Sequence, residues 1–249
     1  MTRSIQDILM ALQAGQLTEA EQWSRAAWQG TPANDDFALL LAMSLHRQGR
    51  LDEALSVYAE LAQRHSDSSL HWGNYATILR DLGRLDESAQ AYARALELQP
   101  DNVDQLINFG QLQLQLKRYH EARETLLYAC HLEPSSMMAR MLAARACATC
   151  RDHRVGQLLR PWREWLPLDD AQQMELADLF QLDGEAAIAC ELLQDIVARS
   201  PTWMPAKLAL AAALERMNRL DAARALLNDI DAACDPSDES ARLEITRQR

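Results

Sequence analysis

No run of apolar residues in this 249-residue chain approaches the roughly 20 that cross a bilayer, which argues against a spanning helix. The start, Met1-Thr2-Arg3-Ser4-Ile5-Gln6-Asp7, has one basic residue followed by polar ones and does not read as a secretory signal. Cysteine is sparse: 5 scattered thiols, an odd number, do not make a disulfide framework, so a cytoplasmic protein is the expectation. Glycine and proline stand at only 8 each, which disfavours a turn-rich sheet protein and leaves an all-helical chain of Ala, Leu, Glu, Arg and Gln. Lysines are few, and 36 acidic residues outweigh 25 basic ones, giving a net charge of -11. Phosphate recognition needs clustered cations, so neither nucleic acid nor an anionic membrane is an expected partner. A basic or amphipathic protein partner suits such a surface better.

Signatures of catalysis and metal binding are missing as well. No phosphate-cradling glycine loop, His-Glu-x-x-His or Gly-x-Ser-x-Gly occurs. His46, His65, His71, His120, His131 and His153 show no metal-ligand spacing. Cys147 and Cys150 have the C-x-x-C spacing, with His153 nearby. They sit toward the C-terminal end of an expected helix, where the dipole does not activate a thiol, and no second pair completes a zinc site. The reading is a non-enzymatic chain without cofactor or metal, both cysteines filling small apolar slots.

What the chain does have is a period. Between Trp72 and Pro134 one pattern of small and large apolar residues occurs twice: Trp72, Tyr75, Ala76, Leu79, Gly83, Ala89, Tyr92, Ala95, Leu96 and Pro100, then Leu106, Phe109, Gly110, Ala122, Leu126, Ala129 and Pro134, 34 residues later. Stepping back by the same interval from Gly83 reaches Gly49 and Gly15, and stepping forward reaches Lys117 and Arg151. Glycine at a helix end adopts the left-handed conformation without a Cβ clash, so these positions read as inter-helix turns. A small residue recurs in the second helix at Ala20, Ala54, Ser88, Ala122 and Gly156. The register then slips by one, to Gly184 and Asn218 as turns with Ala189 and Ala223 as small positions. Units are drawn at 1–34, 35–68, 69–102, 103–136, 137–169, 170–203 and 204–237, with Pro32, Pro100, Pro134 and Pro201 ending second helices.

Helix-start chemistry agrees with these bounds. Thr18 followed by Glu21 has the spacing of a reciprocal cap, Asp52-Glu53 and Asp86-Glu87 place negative charge in first turns, and Pro205 suits a first helical position. The fifth unit is irregular: its expected second helix, Val155 to Leu166, contains Pro161, which costs roughly 3 kcal/mol in a helix interior and predicts a local break. Trp162 and Trp165 beside it read either as an anchor for a partner or as a plug for the gap left by the kink. The tail, residues 238–249, reads as a capping helix or the start of a further repeat.

The 34-residue period, paired amphipathic segments and closing proline resemble the tetratricopeptide repeat. The resemblance covers nearly the whole chain and implies an all-α, right-handed superhelical solenoid of about seven helix-turn-helix repeats. It also implies that the first helix of every unit lines a concave groove. By register, the groove-facing side chains are then Asn74, Thr77, Arg80 and Asp81 from one unit and Asn108, Gln111 and Gln115 from the next. Asn74 and Asn108 take the sixth position of their units and look like two rungs of the asparagine ladder that grips peptide backbone in O-linked N-acetylglucosamine transferase. Gln6, Leu40, Leu142, Glu175 and Ala209 interrupt the ladder elsewhere. The carboxylate clamp of chaperone-binding repeats needs lysine at the fifth position, where Ile5, Leu39, Gly73 and Ile107 stand.

The resemblance implies a non-catalytic interaction scaffold that holds a peptide or helix of a protein partner. The alternative is the N-terminal repeat region of a larger bacterial transferase, of sulfotransferase or glycosyltransferase type. A second copy of the chain is a further candidate occupant of the groove.

Overall fold

The computed structural model describes residues 3–233. These form fourteen α-helices and one 3-10 segment, with no strand among them. They divide into two compact units, residues 3–134 and 135–233. The expected tail helix at 238–249 lies outside the described residues.

The first unit holds four helix pairs: α1 (Ile5–Gln13) with α2 (Leu17–Gly30), α3 (Asp35–Arg47) with α4 (Leu51–Arg64), α5 (Ser69–Asp81) with α6 (Leu85–Leu98), and α7 (Val103–Gln115) with α8 (Tyr119–Leu132). The second holds α9 (Met137–Thr149) with a short α10 (Val155–Leu159), then α11 (Asp170–Asp183) with α12 (Ala186–Arg199), and α13 (Met204–Arg216) with α14 (Leu220–Ala233). Each is a solenoid stack in which a helix packs on its sequence neighbours.

One backbone device joins the two helices of all seven pairs. Gly15, Gly49, Gly83, Lys117, Arg151, Gly184 and Asn218 all have positive φ, between 55° and 89°. The residue after each donates its N–H to the carbonyl five residues back, as in Gln16 to Ala11 at 2.9 Å, Arg118 to Gln113 at 2.8 Å and Arg219 to Leu214 at 2.9 Å. This is the Schellman termination, which satisfies carbonyls that the helix end leaves open. Lys117, Arg151 and Asn218 thus keep the glycine geometry without being glycine.

The two kinds of helix start differently. Five of the seven first helices take side-chain caps, with Ser4 accepting from Asp7 N, Asn102 from Gln105 N and Asp169 from Gln172 N, while α5 and α13 have none. Second helices begin directly after the turn, so their first residues have no room for one. The reciprocal cap expected from Thr18 and Glu21 is therefore not formed. Helix α2 already begins at Leu17, with Gln16 at its cap position and no side-chain cap. Glu21 instead accepts from Arg25 at 2.9 Å, Gln48 at 3.0 Å and Arg50 at 2.7 Å, the last two from the next pair. Burial opposes ionisation of Glu21, but these bonds outweigh it and hold the carboxyl below its usual range.

Small buried residues let the helices of each pair approach. Ala42, Ala76, Ala144, Ala177 and Ala211 on first helices, and Ala20, Ala54, Ala122, Ala189 and Ala223 on second helices, are almost fully buried. Ser88 takes the same small position and donates to the Ala76 carbonyl at 2.7 Å. Larger side chains fill the layers between: Leu41, Leu45, Tyr58 and Ile78 in one cluster, Leu79, Tyr92 and Leu112 in the next.

The irregularity at Pro161 is sharper than a kink. In the segment expected to be helical to Leu166 the α-helix ends at Leu159, and a 3-10 turn, Trp162–Trp165, follows. Trp162 is buried, its ring edge-on to Phe180 at 6.2 Å and covered by the Arg163 guanidinium at 4.2 Å. Trp162 thus packs inward where the shortened helix ends, while Trp165 is half-buried.

Candidate functional site

The seven side chains singled out by register lie on α5 and α7, which pack against each other. They separate into two groups by what they touch. Thr77 bonds the Tyr92 hydroxyl at 2.9 Å and donates to the Gly73 carbonyl at 3.0 Å. Burial pushes the Tyr92 phenol up, with the Thr77 bond partly offsetting it. Asp81 meets His46 Nε2 at 2.7 Å and accepts from Arg80 Nε at 3.2 Å. Thr77 and Asp81 thus tie α5 to neighbouring helices, while Arg80 bonds the adjacent Asp81.

Asn74, Asn108, Gln111 and Gln115 are different. None of these four amides makes a hydrogen bond among the described residues, and each is half-buried or exposed. An amide both donates and accepts, so this group can pair with an extended backbone of any sequence. Gln105 and Gln113 on the same helix face inward and are buried; Gln105 donates to the Ser69 carbonyl at 2.9 Å.

The second unit carries a depression of about 480 Å³ on the corresponding helices α9, α11 and α13. Arg145, Met174, Glu175, Asp178, Leu182 and Trp203 line it. Gln111 leads to Arg145 by one 34-residue step and to Asp178 by a further 33, so this wall continues the register of the first unit. Arg145 Nη2 pairs with Glu175 at 2.5 Å. Asp178 is reached by solvent, yet the wall around it crowds water from its carboxyl. That desolvation raises its pKa, Glu175 adds to the rise and Arg145 partly offsets it.

The structure also joins residues that sequence spacing did not connect. His65 and His71 bring their rings to 5.1 Å at the junction of α4 and α5, and His65 Nε2 contacts Asp35, which also pairs with Arg64 at 2.5 Å. Among the described residues no three His, Cys, Asp or Glu side chains converge as a metal set. Cys147 is buried in the last turn of α9 and Cys150 follows its end. No helix among the described residues is long and apolar enough to cross a membrane.

Residues 39–103 match the sequence profile of the tetratricopeptide repeat family. No curated protein matches the chain. Solved structures do match by fold. A tetratricopeptide repeat protein from Parabacteroides merdae superposes with a TM-score of 0.66 at 20% identity, over 98% of this chain and 96% of that one. Pseudomonas aeruginosa PilF gives 0.69 at 19% identity, over 80% and 90%. YrrB, a tetratricopeptide-repeat protein with an unusual peptide-binding site, gives 0.63 at 14% identity, over 76% and 97%. None of these three is described as a sulfotransferase or glycosyltransferase. Residues 39–103 thus carry tetratricopeptide repeats, and the chain around them has the tetratricopeptide-repeat fold.

Proposed function

We propose that the chain is a non-catalytic interaction scaffold whose first helices hold an extended peptide or a helix of a protein partner. The observation that carries this reading is the group of four unpaired amides on α5 and α7, Asn74, Asn108, Gln111 and Gln115. Partly or fully exposed and unbonded within the fold, these four stand ready for a ligand backbone. Repeat proteins of this fold generally serve as protein-interaction scaffolds, and YrrB is described with a peptide-binding site. The seven-repeat division drawn from the period belongs to the same reading, as does the assignment of the amides to the inner face.

A displayed library of random 12-residue peptides, selected on the intact chain, supplies the probe. The double variant Asn74→Ala with Asn108→Ala is expected to bind the selected peptides about tenfold more weakly, the loss of one or two backbone bonds at about 1 kcal/mol each. Its melting temperature should stay within about 2 °C of the parent, since neither amide is bonded in the fold. Unaltered affinity for every selected peptide would remove the amides from the site.

A further inference from the structure

The depression on α9, α11 and α13 combines two features that the amide group lacks. One is apolar surface: Leu182 is 67% exposed, and Met174 and Trp203 lie beside it, half-buried. Large aliphatic side chains of a solenoid normally enter the layers between helices, as Leu176 and Leu179 do on the same helix. The other is an unbalanced charge. Arg145 is engaged by Glu175 at 2.5 Å, and Arg216 donates to the Gln181 carbonyl at 2.7 Å. Asp178 stands exposed in the wall and makes no hydrogen bond or ion pair among the described residues. A bound cation there would relieve a charge that the fold itself leaves alone.

We propose that this depression docks a basic, amphipathic segment of a partner protein, with a Lys or Arg meeting Asp178 and an adjacent apolar side chain lying against Leu182, Met174 and Trp203. The inference rests on the scaffold reading above and names the chemistry of its partner. Charge complementarity selects this occupant: the chain carries 36 acidic residues against 25 basic ones, and the free carboxylate sits within reach of the apolar surface. A volume of about 480 Å³ has room for a few side chains of a docked segment. An acidic segment would bring its charge against both Asp178 and Glu175.

Three fluorescein-labelled 14-residue peptides with identical leucine spacing, and Lys, Gln or Glu at the intervening positions, test the assignment by anisotropy on the intact chain. The Lys peptide is expected to bind about tenfold more tightly than the Gln peptide, and the Glu peptide most weakly. Asp178→Asn should remove most of the advantage of Lys over Gln. Asp67→Asn, an equal charge change at an exposed residue that does not line the depression, should leave it intact. Leu182→Ser should weaken the Lys and Gln peptides alike. Equal binding of all three peptides, binding of none, or an equal response to Asp178→Asn and Asp67→Asn would overturn the inference. The amide reading would survive any of these, because it is measured separately on Asn74 and Asn108.

Discussion

Gly110 of α7 lies under the side chain of Leu126 in α8, so close that a Cβ on residue 110 would stand 2.6 Å from Leu126 Cδ2. Leu126 is fully buried and has no solvent to retreat into. The missing side chain at 110 is therefore what lets this pair of helices close.

Gly110→Ala is expected to lower stability even though alanine is the better helix former. The propensity gain is about 1 kcal/mol, while forcing a methyl into a filled site costs about 1–3 kcal/mol. Leu126→Ala alone should cost about 2–5 kcal/mol through its cavity. The double variant should be less destabilised than the sum of the two, because the added methyl occupies part of the space that Leu126 vacates. Denaturant midpoints of the four proteins check this, and strict additivity would show that the two positions do not share that space.

The seven left-handed turn residues offer a test with opposite signs. Lys117→Gly and Arg151→Gly should each raise stability by about 0.5–1 kcal/mol, since glycine adopts φ near 59° or 55° without a Cβ penalty. Asn218→Gly should gain less, because asparagine tolerates that region. Gly83→Ala should lose about 1 kcal/mol, although nothing but open space surrounds the added methyl. Thermal unfolding of the four variants gives the comparison. A gain for Gly83→Ala would mean that space and not backbone conformation governs the turn.

The turns were legible because a backbone requirement showed through as glycine at Gly15, Gly49 and Gly83. Where the same conformation is held by Lys117 or Arg151, only the period indicates it. The small positions Ala54, Ser88 and Ala122 were legible for the same reason, that close approach restricts side-chain size. Individual polar contacts were not. Thr18 and Glu21 have the spacing of a cap, but the turn before Leu17 starts the helix too early, and Arg50 from the next pair takes the carboxylate. Thr77 shares the register of the groove positions, yet its hydroxyl bonds Tyr92. The wall at Arg145, Glu175 and Asp178 was in register yet went unselected, because a period says which positions face alike and not that Met174, Leu182 and Trp203 gather beside an unpaired carboxylate there. His65 and His71 are six residues apart across a helix junction, so their meeting depends on the loop between them, which no periodicity describes.

That junction gives the last prediction. His71 is half-buried, and its Nδ1 has no hydrogen-bond partner among the described residues. Burial lowers its pKa from 6.5, the neighbouring His65 lowers it further, and Asp35 and Asp36 partly offset both. Protonation is then easier in the unfolded chain than in the fold. The contribution of neutral His71 to stability is complete above pH 6.5 and is lost as the pH falls through the depressed folded value. The melting temperature should accordingly drop between about pH 7.5 and about pH 5.5, a window in which carboxylates stay ionised. His71→Gln has no such proton to bind, and its melting temperature should fall less over the same window. An identical fall in parent and variant would place the acid sensitivity elsewhere, with His65 and its contact to Asp35 as the next group to replace.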